Sequence, residues 1–101
     1  MTIHSPNVIT LQASDLQELS GSVAGTVRDF IKNKLTPEHL ILEIDLSKIT
    51  FIDSSGLGAL ISLHRAMADR SGQLKLINPS AVCRQILELT RINRALEIVT
   101  R

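Results

Sequence analysis

The chain has 101 residues, 44% of them hydrophobic and 21% charged, with a formal net charge of +1; this is the composition of one globular domain spanning 1–101. That charge balance excludes the basic stripe of a nucleic-acid binder, and Phe30 and Phe51, the two aromatic residues, supply no platform for stacked bases. Cys83 is the single cysteine, which excludes an internal disulfide and a Cys-rich zinc site.

Residues 1–7 read as a poorly ordered lead-in. Val8–Leu11 reads as a short strand. From Leu16 the apolar period becomes helical: Leu16, Leu19, Val23, Val27, Phe30 and Ile31 recur at steps of three and four. The helix starts either at a cap on Ser14 or, with Gly21 and Gly25 weakening its first part, at Ser20 or Ser22. Thr36-Pro37 ends it.

Leu40–Leu46 is the strongest strand. Leu40, Leu42, Ile44 and Leu46 point one way and Ile41, Glu43 and Asp45 the other. Ile49, Phe51 and Ile52 lead back into the core, with Leu42, Ile44, Phe51, Leu60 and Ile61 expected to be buried together. Next comes a small polar hinge, Asp53-Ser54-Ser55-Gly56-Leu57-Gly58. Beyond it Leu57, Leu60, Ile61, His64, Met67 and Ala68 form a helical stripe. Ser71-Gly72 closes that helix, with Gly72 as the left-handed residue. Leu74, Leu76 and Ile77 make a further strand. Asn78-Pro79-Ser80 is a turn and cap, Val82, Cys83, Ile86 and Leu87 a third helical face, and Leu96–Val99 a final strand. Strand and helix alternate, which predicts an α/β fold with at least partly parallel strands.

The hinge fails several chemical tests. A nucleophile elbow needs G-x-S-x-G, and S-S-G-L-G does not match. A serine nucleophile needs a base. His4 lies in the lead-in, His39 at the far end of its strand, and His64 roughly 13 Å down the helix axis at ~1.5 Å per residue. A phosphate cradle would need the Walker lysine or the G-x-G-x-x-G order. The histidines are too scattered for a metal site. No metal, cofactor or catalytic residue is therefore assigned. Two readings fit: a serine-capped corner from strand to helix, and an exposed phosphoacceptor at the positive end of a helix.

The run L-I-L-E-I-D-L-S-K-I-T-F-I-D-S-S-G-L-G-A-L resembles the signature of the STAS domain, and within it of bacterial anti-sigma factor antagonists. The strand, turn and helix of Q-L-K-L-I-N-P-S-A-V-C-R-Q-I-L-E-L-T-R-I resemble the next strand, turn and third helix of that family, so the likeness covers residues 40–99. It implies a central mixed sheet of about four strands with helices packed mainly on one face. It also implies a kinase substrate rather than an enzyme. An anti-sigma factor with a histidine-kinase-like ATP fold would phosphorylate Ser55, and a serine phosphatase would reset it. The unphosphorylated form would bind the anti-sigma factor and free a sigma factor. Asp53, Ser54, Ser55, Gly56, Leu57 and Gly58 would form the partner-binding loop, with Asp53 capping the helix, shaping the loop, or both.

The chain departs from the family pattern in its shortened opening and in ending where a last helix is usual. The family's Gly-x-Leu-Asp stretch corresponds to Ser14–Leu16 or to Glu18–Ser20, so Asp15 or Ser20 takes the place of the acid. Two other roles of such domains remain open: a subunit of a lipid transport system, and a stress-signalling scaffold. No apolar run reaches the ~20 residues that span a bilayer, and the start lacks a signal-peptide layout. The expected setting is the cytoplasm, without membrane insertion or nucleic-acid contact.

Overall fold

The computed structural model describes residues 8–12 and 16–101, with Leu11 and Gln12 through their backbone alone. The expected lead-in, 1–7, lies outside the described residues, as do Ser14 and Asp15. The elements are β1 (Val8–Gln12), β2 (Glu18–Leu19), α1 (Gly21–Lys34), β3 (Ile41–Asp45), β4 (Phe51–Ile52), α2 (Ser54–Ala68), β5 (Gln73–Ile77), α3 (Ala81–Leu89), a 3-10 turn (Ile92–Arg94) and β6 (Glu97–Val99).

The main sheet has the order β1-β3-β5-β6, and β2 pairs with β4 in a small second sheet. Among the described residues every pairing is parallel, so the sheet described is more uniform than the mixed one expected. Because the strand order advances in one direction, right-handed crossovers bring the helices to one face. Burial of the side chains agrees. Leu42 and Ile44 of β3, with Leu74 and Leu76 of β5, are buried beneath the helices. Ile41, Glu43, Gln73 and Lys75 alternate onto the other face.

Several expectations about the core change. Leu16 and Leu19 are not on a helix. Leu19 is buried in β2, and α1 begins after Ser20. The buried face of α2 is Gly56, Leu57, Ala59, Leu60, Leu63 and Met67, a stripe rotated from the one predicted. Leu63 enters the core while Ala68 is exposed and Ile61 and His64 are half-buried. Phe51 is 55% exposed rather than in the core, because in β4 it alternates with the buried Ile52. On α3, Cys83 and Leu87 are buried but Val82 is exposed.

The end of α2 also differs. The left-handed residue is Ser71, at φ 59°. The Gly72 N–H reaches back to the Met67 carbonyl at 2.7 Å, closing the helix by a six-to-one bond. Gly72 is glycine for another reason: a Cβ there would stand 2.5 Å from the Leu40 carbonyl oxygen.

Candidate functional site

Each helix comes after a parallel strand, so α1, α2 and α3 all start at the C-terminal edge of the strands, where ligand and partner sites of open α/β sheets gather. The hinge lies there. β4 ends at Ile52, and Asp53 keeps an extended backbone, with φ −121° and ψ −170°, as the N-cap of α2. Its carbonyl accepts the Leu57 N–H at 3.0 Å, and its Oδ1 accepts the Gly56 N–H at 3.1 Å. The cap is therefore Asp53, not Ser54 or Ser55. A carboxylate satisfies a free helix amide and also sits well with the positive end of the dipole.

With the cap supplied, Ser54 and Ser55 are the first two residues of the helix, and both are exposed. Among the described residues neither hydroxyl has a hydrogen-bond partner.

Asp53 also reaches a second helix. Its Oδ2 accepts the Gly21 N–H at 3.2 Å, and its own N–H donates to the Leu19 carbonyl at 3.4 Å. Ser20 occupies the N-cap position of α1 but makes no side-chain cap. It is buried, and its hydroxyl donates to the Glu18 carboxylate instead. α1 is thus capped by a residue 32 positions away. Of the two alternatives for the family acid, Ser20 stands beside Asp53, while Asp15 is outside the described residues. Of the starts read from the sequence for α1, the one at Ser20 is found; the cap that Asp53 supplies to it is what sequence reading missed. Its one local sign was Gly21 directly after Ser20.

The six residues expected in the loop do come together at one helix end, but they divide. Ser54, Ser55 and Gly58 are exposed and Asp53 is half-buried, whereas Gly56 and Leu57 are buried. A Cβ added at Gly58 would meet open space. Gly56 differs. Its missing Cβ makes room for β2, since an added Cβ would lie 2.0 Å from the Leu19 carbonyl oxygen. Leu57 anchors the helix in the core.

α3 is fixed to the same edge. Ser80 Oγ accepts the Cys83 N–H at 3.1 Å and donates to the Ile49 carbonyl at 2.6 Å, tying the start of α3 to the segment leading into β4. Burial pushes the Cys83 thiol up to about 11, so at neutral pH it is a protonated core residue. His39 Nδ1 accepts the Thr36 N–H at 3.0 Å and closes a turn. Among the described residues, no group of three or more His, Cys, Asp or Glu is placed to hold a metal ion.

The STAS domain model matches residues 2–100. An anti-sigma-B factor antagonist of Listeria monocytogenes is 26% identical over 81 residues, covering 80% of this chain and 71% of the relative. A STAS-domain containing protein of Pseudomonas aeruginosa is 28% identical over 100 residues, covering 90% of this chain and 97% of the relative. Among solved structures, the anti-sigma factor antagonist SpoIIAA in its unphosphorylated form superposes with a TM-score of 0.80 at 17% identity, covering 99% of this chain and 84% of that one. The phosphorylated form of SpoIIAA, a Bacillus cell fate determinant, gives 0.73 at 17% identity, covering 99% of this chain and 87% of that one. At such identity these structures speak for the fold. With the family model spanning nearly the whole chain, this chain belongs to the STAS domain family.

Proposed function

We propose that the chain is an anti-sigma factor antagonist, a protein-binding switch controlled by phosphorylation of Ser55. The observation that carries the reading is the exposed Ser55 hydroxyl in the first turn of α2, left free because Asp53 has taken the cap. The likeness to anti-sigma-B factor antagonists supports the same reading. The unphosphorylated form sequesters an anti-sigma factor that is also a serine kinase with a histidine-kinase-like ATP fold, and a sigma factor is freed. The phosphorylated form lets go, and a serine phosphatase resets it. The chain is the substrate in this cycle and not an enzyme. It works in the cytoplasm. No helix among the described residues is long and apolar enough to cross a membrane.

The physics of the loop suits this role. A phosphoserine adds about −1.5 to −2 charges and three acceptor oxygens. At a helix N-terminus that charge is tolerated by the fold. At a closely packed interface it brings repulsion and a desolvation cost. The docking surface is the exposed Ser54, Ser55 and Gly58, with Asp53 at its edge and Gly56 and Leu57 holding it from beneath.

Incubation with the kinase and ATP, then mapping of the phosphate by mass spectrometry, tests the proposal. Phosphate on Ser55, abolished in Ser55→Ala, is the expected result. Ser55→Ala should keep binding the anti-sigma factor in the presence of ATP, and Ser55→Asp should bind more weakly. Phosphate on Ser54 in the Ser55→Ala protein would refute the choice of serine. If neither serine is modified and both variants bind alike, the corner is a helix cap and the switch reading falls.

A further inference from the structure

We propose that Asp53 is a phosphorylation-sensitive clamp between the first turns of α1 and α2, so that a phosphate on Ser55 loosens the start of α1. This rests on the reading of Ser55 as the acceptor. It goes beyond it by assigning a second element, remote in sequence, that carries the signal.

α1 begins without a cap of its own. Its first turn holds no acidic residue, and Ser20 gives its hydroxyl to Glu18. The Gly21 N–H is taken by Asp53 Oδ2, while Oδ1 of the same carboxylate caps α2 through Gly56. Two helix ends thus share one rigid planar group on a short side chain. The backbone beneath it is held by the bond from the Asp53 N–H to the Leu19 carbonyl. Gly21 itself sits at φ 50°, and a Cβ added there would meet only open space, so no side-chain packing at that residue reinforces the bond.

A phosphate on Ser55 hangs two residues along the same helix start. Its oxygens are strong acceptors for first-turn amides. It therefore competes with Oδ1 for the Gly56 N–H, and its charge repels the carboxylate. Because the two oxygens are parts of one planar group, turning Oδ1 away from Gly56 also turns Oδ2 away from Gly21. The trans cap weakens and the first turn of α1 frays. That turn carries the exposed Val23. A partner gripping it in ordered form would favour the unphosphorylated protein without touching the phosphate.

The test uses the full chain with phosphoserine installed at position 55 by synthesis, so that no kinase is needed. Amide hydrogen exchange is measured by NMR at Gly21, at Ala24, whose N–H closes the first turn of α1 onto the Ser20 carbonyl, and at Leu63 in the middle of α2. Gly21 and Ala24 should exchange about tenfold faster in the phosphoprotein, the factor equivalent to about 1.4 kcal/mol, with Leu63 unchanged. Unchanged or slower exchange at Gly21 overturns the clamp. An equal acceleration at Leu63 also overturns it, because the effect would then be global. In an Asp53→Asn background, phosphoserine should add little at Gly21. A full tenfold effect there would show that the carboxylate is not the transmitter. Should Asp53→Asn fail to fold, the comparison in the unsubstituted chain decides. Failure of a kinase to modify Ser55 would count against the proposed function and leave the clamp result standing.

Discussion

Gly56 and Leu19 meet so closely that no side chain fits between them: a Cβ on Gly56 would stand 2.0 Å from the Leu19 carbonyl oxygen. This contact presses the first turn of α2 against β2. Gly58, two residues on, faces open space. The two glycines should therefore respond to the same substitution with opposite signs. Gly56→Ala forces a backbone to shift and should cost at least the ~1–3 kcal/mol of an overpacked core. Gly58→Ala should stabilise by up to ~1 kcal/mol through helix propensity. Urea midpoints of the two variants check this, and equal effects would contradict the packing described.

The capping arrangement predicts a contrast within the hinge. Asp53→Ala removes the acceptor for Gly56 and should cost about 0.5–2 kcal/mol. Ser54→Ala and Ser55→Ala remove exposed hydroxyls that cap nothing and should stay within about 0.5 kcal/mol of the parent. Thermal or denaturant melts at neutral pH distinguish these. A loss at Ser55 as large as that at Asp53 would return the cap to the serines.

On α2, Leu60 and Leu63 are each 1% exposed. Leu60→Ala and Leu63→Ala should each cost about 2–5 kcal/mol, depending on how far the site collapses. Ala68→Ser, on the exposed side, should change stability by less than about 0.5 kcal/mol. A small loss at Leu63 would mean that the helix presents a different face to the sheet.

Glu43 lies on the sheet face away from the helices. Burial raises its pKa. The Arg101 hydrogen bond, the Thr10 hydroxyl at 2.9 Å and the nearby Arg101 and Lys75 charges outweigh that and hold it below the ordinary 4.5. A carboxylate with a lowered folded pKa contributes stability that is fully present above the unfolded value. That contribution is lost as pH falls through the folded value. Glu43→Gln should therefore lower stability at pH 7 and flatten the fall in stability below about pH 4.5. Denaturant midpoints at pH 7 and pH 3 measure both effects.

Cys83 is fully buried, with its thiol pushed up to about 11. An aqueous aromatic disulfide reagent at pH 8 should react with it at the rate at which the protein opens, and rapidly in urea. Fast reaction in the native protein would contradict its place in the core.

Much of this molecule is determined by local pattern. Leu42 and Ile44 alternate with Glu43 over a run long enough to fix both the strand and its buried face. Ser80 caps α3 because a serine after Asn78-Pro79 has one helix start within reach. The D-S-S-G-L-G run likewise marks the corner where Ser55 is exposed. Tertiary structure decided the rest. β2 and β4 have two residues each, too few to display a period, and they exist because each pairs with the other. The predicted α2 stripe includes Ala68 and leaves out Leu63, and which of the two is buried depends on where the sheet lies. Asp53, Ser54 and Ser55 can all cap a helix locally. Asp53 holds the cap because β4 delivers it between two helix starts, where one carboxylate serves Gly56 and Gly21 together. That second contact joins residues 32 apart in sequence, and no local pattern encodes a bond that only the folded chain brings within reach.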